Sequence, residues 1–244
     1  MIRAWGITDK GVVRAQNQDA YYLKLTGEDQ AVAIVCDGMG GARAGNVASS
    51  MAVETASDYL EQLTAEELLA APGDHLARAA ALANEAVYRK SLHERECMGM
   101  GTTMVAAFVY SRKAQVLNIG DSRAYHIDSE GIMKVTRDHS VVEDLVNRGQ
   151  ITPEQARLHP QKNLITRALG SEERSRTDLY DVALQPGDYL LLCSDGLSNT
   201  LTDQELLYEV VHGGEPENCC QRMLNISLSR GAPDNVTAVL IQCL

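Results

Sequence analysis

Short apolar runs cut off by turns set the rhythm of the first third of the chain. Residues 2–9 and Ala20 to Leu25 read as strands. Ala31 to Cys36 reads as a buried strand that stops abruptly at Asp37-Gly38-Met39-Gly40-Gly41. After Gly45 the period changes. Val47, Ala48, Met51, Ala52, Thr55 and Tyr59 share one helical face, and Leu76, Ala79, Ala80, Ala83 and Val87 share another. The second helix is entered from Pro72-Gly73-Asp74, with Asp74 as its expected N-cap. Faces this rich in alanine predict close packing on a flat apolar surface, which a sheet provides.

Gly101 to Tyr110, Ala114 to Ile119, Arg123 to Ile127 and Ile132 to Val135 continue as strands. The turns at Ser111-Arg112-Lys113 and Gly120-Asp121-Ser122 are too short for parallel crossovers, so these strands are predicted antiparallel. Asp138-His139-Ser140 opens a short helix, Val141 to Asn147, and Thr152-Pro153 starts another. From there to about Thr177 the chain is polar, carries Arg157, Arg167, Arg174 and Arg176, and has no strong period. It reads as a long surface excursion, a kind of segment that often carries function. Thr177 to Val182 and Asp188 to Cys193 are strands again, and the second ends in Ser194-Asp195-Gly196, repeating the buried strand followed by Asp-Gly. Helices at Thr202 to Val211 and Pro216 to Ser229 precede a last strand, Val236 to Ile241. No linker or low-complexity stretch interrupts the 244 residues, which read as one domain, 1–244.

Composition narrows the function. Apolar residues make up 45% and the net charge is -11, a balance that argues against nucleic acid or an anionic membrane as partner. The six cysteines form no C-x-x-C pair. With no leader and no run near the ~20 apolar residues a membrane span needs, reduced thiols in a cytoplasmic protein are the expectation.

The turns carry the candidate chemistry. Asp19, Asp37, Asp121, Asp195 and Asp234 all stand at turns, and Asp37, Asp195 and Asp234 abut strongly apolar strands. Singly, each reads as a turn former. Together, their carboxylates are expected to gather at one rim of a sheet, where mutual repulsion is relieved when cations occupy the cluster. Oxygen ligands without His or Cys select hard ions, Mg or Mn, over zinc. Two such ions sharing a carboxylate and a water make a nucleophile for in-line displacement at phosphorus. Arg14 is the candidate grip on phosphate oxygens, its plain alternative being a solvated surface charge.

These residues fall into motifs that resemble one family. The motifs are Thr8-Asp9-x-Gly11 with Val13-Arg14 and Asn17-Gln18-Asp19, then Val35-Cys36-Asp37-Gly38-Met39-Gly40-Gly41, Gly101-Thr102-Thr103, Gly120-Asp121-Ser122-Arg123 and Asp138-His139-Ser140. Asn163 to Gly170, Ser194-Asp195-Gly196-Leu197 and Asp234-Asn235-Val236-Thr237 complete the set. The chain resembles the metal-dependent protein serine/threonine phosphatases of the protein phosphatase 2C type, in a compact bacterial form. The resemblance implies an α+β fold, a four-layer αββα sandwich of two antiparallel sheets face to face with helix pairs outside. It implies that Asp37 bridges two Mn or Mg ions, that Gly38 lends its carbonyl, and that Asp195 and Asp234 complete a shell. Asp19 would act through bound water, Asp121 with Asp195 would hold a third, weaker ion, and Arg14 would bind the substrate phosphate. Residues from about 141 to 177 would form a flap beside the site. Phosphorylated proteins would be the substrates, a serine/threonine kinase of the same cell the opposing enzyme, and the chain a monomer. Two departures stand out: Gln18 occupies a position where some members have Glu, and Met39 comes directly after the Asp-Gly where animal members place His. Met39 has no proton to give, so a metal-bound water is the expected donor to the leaving alkoxide. A non-catalytic binding module of the same fold and a hydrolase of small phosphate esters are the competing readings.

Overall fold

The computed structural model describes residues 1–244, the side chains of residues 41–43 excepted. Strand β3 (Gln30–Met39) shows why the layers stack as they do. Its side chains alternate between two apolar layers, with Val32, Ile34 and Cys36 on one face and Ala31, Ala33 and Val35 on the other. A strand buried on both faces needs cover on both. β3 pairs antiparallel with β2 (Asp19–Leu25) and with β5 (Met104–Tyr110). β5 continues to β6 (Lys113–Ile119) and β6 to β9 (Asp178–Ala183), while the short β4 (Gly101–Thr102) pairs with the end of β3. The second sheet runs β1 (Ile2–Asp9), β11 (Val236–Cys243), β10 (Tyr189–Cys193), β7 (Arg123–Ile127), β8 (Ile132–Lys134), again antiparallel throughout.

The two sheets face each other across small aliphatic side chains. Val105, Ala107 and Val109 of β5 meet Leu190 and Leu192 of β10 and Val239 and Ile241 of β11 in one buried layer. Outside the first sheet lie α1 (Gly41–Glu61) and α3 (Pro72–His93), whose Ala48, Ala52, Ala79, Ala80 and Ala83 allow close approach. Outside the second lie α7 (Asp203–Gly213) and α8 (Pro216–Ser229), packed through Leu206, Val210, Cys220 and Met223. The result is the expected α+β sandwich of four layers. Among the described residues, no helix is long and apolar enough to cross a membrane.

Several boundaries differ from the sequence expectation, each for a local reason. α1 begins at Gly41 and not after Gly45, because Gly40 at φ 129° turns the chain directly from β3 into the helix. Asp74 lies in the first turn of α3 and does not cap it, since Pro72 already occupies the opening position. α2 (Ala65–Ala70) has no long apolar stripe and is set by a reciprocal capping box between Thr64 and Glu67. The run from Gly101 to Tyr110 breaks at Thr103, which separates β4 from β5. The polar excursion contains α4 (Val141–Asn147) and α5 (Pro153–Arg157), capped by Ser140 and Thr152. Asp195 opens a single helical turn, α6 (Asp195–Ser198).

Candidate metal centre

Both sheets deliver acids to the same end of the sandwich. Asp37, near the end of β3, stands opposite Asp19 at the start of β2. Asp195 comes after β10 and Asp234 precedes β11, both in the other sheet. The carboxylates therefore meet between two sheets and not along the rim of one, because strands that read alike in sequence belong to different layers. Asp37, Asp121, Asp195 and Asp234 line a cleft of about 470 Å³ together with Gly38, Arg14, Thr103, Asn163 and Ile165. Asp19 sits behind them, 8% exposed.

Hydroxyls and amides from the opposite sheet hold this arrangement. Asp19 Oδ2 accepts from Ser194 Oγ at 2.7 Å and from Thr237 Oγ1 at 2.6 Å. Since Thr237 Oγ1 donates there, it accepts from Thr8 Oγ1 at 2.7 Å, which in turn accepts from Asn17 Nδ2 at 2.8 Å. Asn235 spends its whole amide on the loop that carries Arg14. Its Oδ1 accepts from Gln18 N, and its Nδ2 donates to the carbonyls of Lys10 and Gln16. Asp37 is fixed by its own backbone: its N–H donates to Thr103 Oγ1, and its carbonyl accepts from Thr102 Oγ1 and Thr103 N. At Gly38, a Cβ would lie 2.0 Å from the Gly45 carbonyl oxygen, so only glycine lets the strand pass so near α1.

The electrostatics are those of a crowded anionic site. Burial, then repulsion from Asp19, Asp195, Asp121 and Asp234, pushes Asp37 far above the usual carboxylate range. Burial lifts Asp121 to about 8, with Asp195 and Asp138 adding to it. Burial lifts Asp19 to about 7 against the pull of its two hydroxyl donors, and burial and Asp234 raise Asp195. Among the described residues, Asp19 Oδ1 and Asp195 Oδ1 are buried without a hydrogen-bond partner. Orphaned carboxylate oxygens among mutually repelling acids fit divalent cations, and the all-oxygen donor set fits hard ones.

Arg14 reaches into the cleft from the β1–β2 connection and donates from Nη2 to Asp234 Oδ2 at 2.7 Å, with its side chain half exposed. Met39 and Gln18 line the same cleft. Every acid singled out in the sequence lies in or directly behind this one cavity. Ser194, Thr237, Thr103 and the Asn235 amide were not assigned roles. Their signal was adjacency: Ser194, Asn235 and Thr237 lie within three residues of an acid, and Thr103 adjoins the strand that pairs with Gly38. Polar residues beside turns are too common for that to single them out. One further group of potential ligands comes together at the other end of β10. There, atoms of His126, Asp128 and Asp188 lie within 4.8 Å of one another. Those carboxylates already serve local turns: Asp128 Oδ1 accepts from Glu130 N and Gly131 N, and Asp188 Oδ2 accepts from Gln185 N and pairs with His126 Nε2.

Comparison with known proteins agrees with this geometry. The family described as Protein phosphatase 2C matches residues 12–229. The serine/threonine phosphatase stp of Listeria monocytogenes is 36% identical over 239 residues, covering 96% of this chain and 93% of that protein. The protein phosphatase PhpP of Streptococcus pneumoniae is 34% identical over 243 residues, with 96% and 95% covered. Among solved structures, serine/threonine phosphatase Stp1 from Staphylococcus aureus superposes with a TM-score of 0.94 at 37% identity, covering 100% of this chain and 96% of that one. The catalytic domain of PstP in complex with two manganese ions superposes at 0.84 and 32% identity, covering 99% and 97%. With two layered sheets, an acid-lined cleft between them, a family match over residues 12–229 and relatives of 34–36% identity along 96% of its length, the chain belongs to the protein phosphatase 2C family.

Proposed function

We infer that this chain is a metal-dependent protein serine/threonine phosphatase, hydrolysing phosphoserine and phosphothreonine in proteins. The observation that carries the reading is the convergence of Asp37, Asp195 and Asp234 from two sheets on one cleft, with buried carboxylate oxygens that no described residue partners. Asp37, the Gly38 carbonyl, Asp195 and Asp234 are the residues that would hold two Mn or Mg ions, and Asp121 with Asp195 a third. When bound, such ions supply an acidified water and neutralise charge on the transferring phosphoryl group. Asp19 steadies the cluster from behind, held by Ser194 and Thr237.

Arg14, at the mouth of the cleft, would receive the phosphate. It now pairs with Asp234 at the cleft mouth, and its fork can turn to two phosphate oxygens once that carboxylate is engaged by a cation. Asn163 and Ile165, from the returning limb of the flap, close one side of the cleft and shape the space open to residues flanking the phosphorylated side chain. Phosphorylated proteins are the substrates, and a serine/threonine kinase supplies them.

Release of phosphate from a phosphothreonine peptide tests the reading, with Mn²⁺ present and then chelated, on the parent protein and on Asp37→Asn. Turnover that needs Mn²⁺ and vanishes in Asp37→Asn is expected. Turnover that survives chelation would overturn it. A small aryl phosphate in parallel separates a protein phosphatase from a general esterase.

A further inference from the structure

His139 stands where the flap leaves the sheet, 5% exposed. It grips both backbone groups of the residue before Asp121. Its own N–H donates to the Gly120 carbonyl at 2.8 Å, and its ring Nδ1 accepts from Gly120 N at 3.1 Å. Because Nδ1 accepts, the ring proton lies on Nε2, which donates to Asp178 Oδ2 at 3.0 Å; Arg167 Nη1, itself only a donor and 3.2 Å from the same Nε2, therefore directs its proton to Asp178 Oδ1 and not to the ring. Asp178 opens β9, and its other oxygen accepts from Arg167 Nη1 at 3.2 Å. Arg167 belongs to the limb by which the flap returns. One residue earlier, Thr166 N donates to the His139 carbonyl at 2.7 Å. Burial acts to raise Asp178, but the hydrogen bonds from His139 and Arg167 and the Arg167 charge outweigh it and hold the carboxyl below its usual range, as an acceptor. Both ends of the flap therefore close on one carboxylate, and the inner ring nitrogen of the same clamp holds the Asp121 turn.

That turn has no freedom on its other side. Gly120 has φ +104°, and a Cβ there would lie 2.5 Å from Thr103 Cγ2. Thr103 Oγ1 meets Ser122 Oγ at 2.7 Å and accepts from Asp37 N. The Asp121 turn is thus pressed against the residues that fix Asp37, and on the flap side the His139 ring holds it through Gly120 N.

We propose that His139 is a positioning residue that couples the flap to Asp121. Asp178 sets its tautomer, so Nδ1 faces the Gly120 amide, and a displacement of the flap roots is felt at the Asp121 carboxylate. The proposal rests on the assignment of Asp121 as a metal ligand. It implies that a substrate protein leaning on the flap tunes the Asp121 side of the metal cluster more than the Asp37 side, which its pairing with β2 and β4 also holds.

Two substitutions at one position separate the halves of the clamp. In His139→Asn the amide oxygen takes the place of Nδ1 and keeps Gly120, but the side chain no longer reaches Asp178. In His139→Gln the amide nitrogen takes the place of Nε2 and keeps Asp178, but Gly120 N loses its acceptor. Calorimetric titration of chelator-treated protein with Mn²⁺ reads the metal side. The KM for a phosphothreonine peptide, against that for p-nitrophenyl phosphate, reads the flap side. His139→Gln is expected to weaken the weakest Mn²⁺ site by roughly 10-fold and the tighter sites by clearly less. His139→Asn is expected to leave Mn²⁺ binding intact and raise the peptide KM several-fold without raising that of the small ester. Equal losses of all Mn²⁺ sites and both substrates in the Asn and Gln variants would show a merely structural residue and overturn the proposal, as would unchanged Mn²⁺ binding in His139→Gln. Asp121→Asn is the control. If it leaves the weakest site untouched, the ligand assignment has failed and the coupling falls with it; if it removes that site, a negative result for His139 counts against the coupling itself.

Discussion

Asp19 and Asp37 stand directly opposite each other in the β2–β3 ladder, two like charges on adjacent strands in a buried position. Opposed like charges weaken a sheet, and here further carboxylates from the facing sheet add to the repulsion. The strands pair in this register because Ala20, Tyr22, Ile34 and Cys36 must point toward α1 and α3; a slip of one residue would invert every side chain. The apolar layers thus force the acids together, and cations relieve the cost.

The metal-free protein should show a pH dependence of unusual sign. Asp19 titrates at about 7 and Asp121 at about 8 in the fold, against about 3.9 in an unfolded chain. Between these values the folded state holds more protons than the unfolded one, so stability falls as pH rises from about 4 to 8. Mn²⁺ binding displaces those protons, and its stabilisation should grow over the same window. At metal ~100-fold above its dissociation constant the gain is about 2.7 kcal/mol, or roughly 5–10 °C in Tm for a chain of this size. Melting curves in chelator and in Mn²⁺ from pH 5 to 8.5 measure both. A chelated midpoint that climbs steadily across that range would refute the raised acids.

Thr237→Val removes one of the two hydroxyls on Asp19 Oδ2 and keeps the shape of the side chain. Those hydroxyls lower the Asp19 pKa, so the variant should bind protons more tightly and Mn²⁺ more weakly, by about 10-fold. Ser194→Ala should act alike, while the double variant should lose more than either alone. Mn²⁺ titration at pH 7 checks it, and unchanged affinity in the double variant would remove Asp19 from any supporting role.

How much of this was legible in the chain depends on the range of the interaction involved. Short apolar runs such as Ala31 to Cys36 revealed strands, and alanine spacing revealed α1 and α3, because burial leaves a local trace. The acids were legible as turn residues after apolar strands. Their meeting between two sheets was not, since nothing in the neighbourhood of Asp195 says whether β10 pairs with β3 or faces it. The hydroxyl set behind Asp19 was hidden for the same reason: Ser194 and Thr237 lie 175 and 218 residues from their partner. α6 was hidden by its length, a single turn being too short for periodicity.

Arg14 separates phosphate binding from metal binding. Arg14→Ala should cut kcat/KM for a phosphothreonine peptide by roughly 10²-fold. Mn²⁺ affinity should stay the same or improve slightly, because Asp234 Oδ2 loses its competing partner. Arg14→Lys keeps the charge but not the two-pronged geometry, and should fall between. Steady-state kinetics with parallel Mn²⁺ titrations decide the matter. A loss of metal affinity that accounts for the whole kinetic defect would return Arg14 to the role of a structural ion pair with Asp234.

Gly38→Ala tests whether the cleft depends on backbone shape as well as on charge. A Cβ at Gly38 would meet three backbone atoms, Gly45 O at 2.0 Å, Gly45 C at 2.5 Å and Gln18 O at 2.7 Å. None is the tip of a flexible side chain, so β3, α1 or the Gln18 segment must move. The expected loss is more than ~3 kcal/mol, measured by denaturant titration in chelator, where metal cannot contribute. Gly131→Ala is the control: no described residue lies within 4 Å of its added Cβ, and a change within about 0.5 kcal/mol is expected. The comparison matters because Gly38 is both a close-packed residue and a candidate carbonyl ligand. If Gly38→Ala is as stable as the parent in chelator yet fails to gain stability from Mn²⁺, the glycine serves the ion alone; if it is already unstable without Mn²⁺, tight passage of β3 beside α1 is what first demands it.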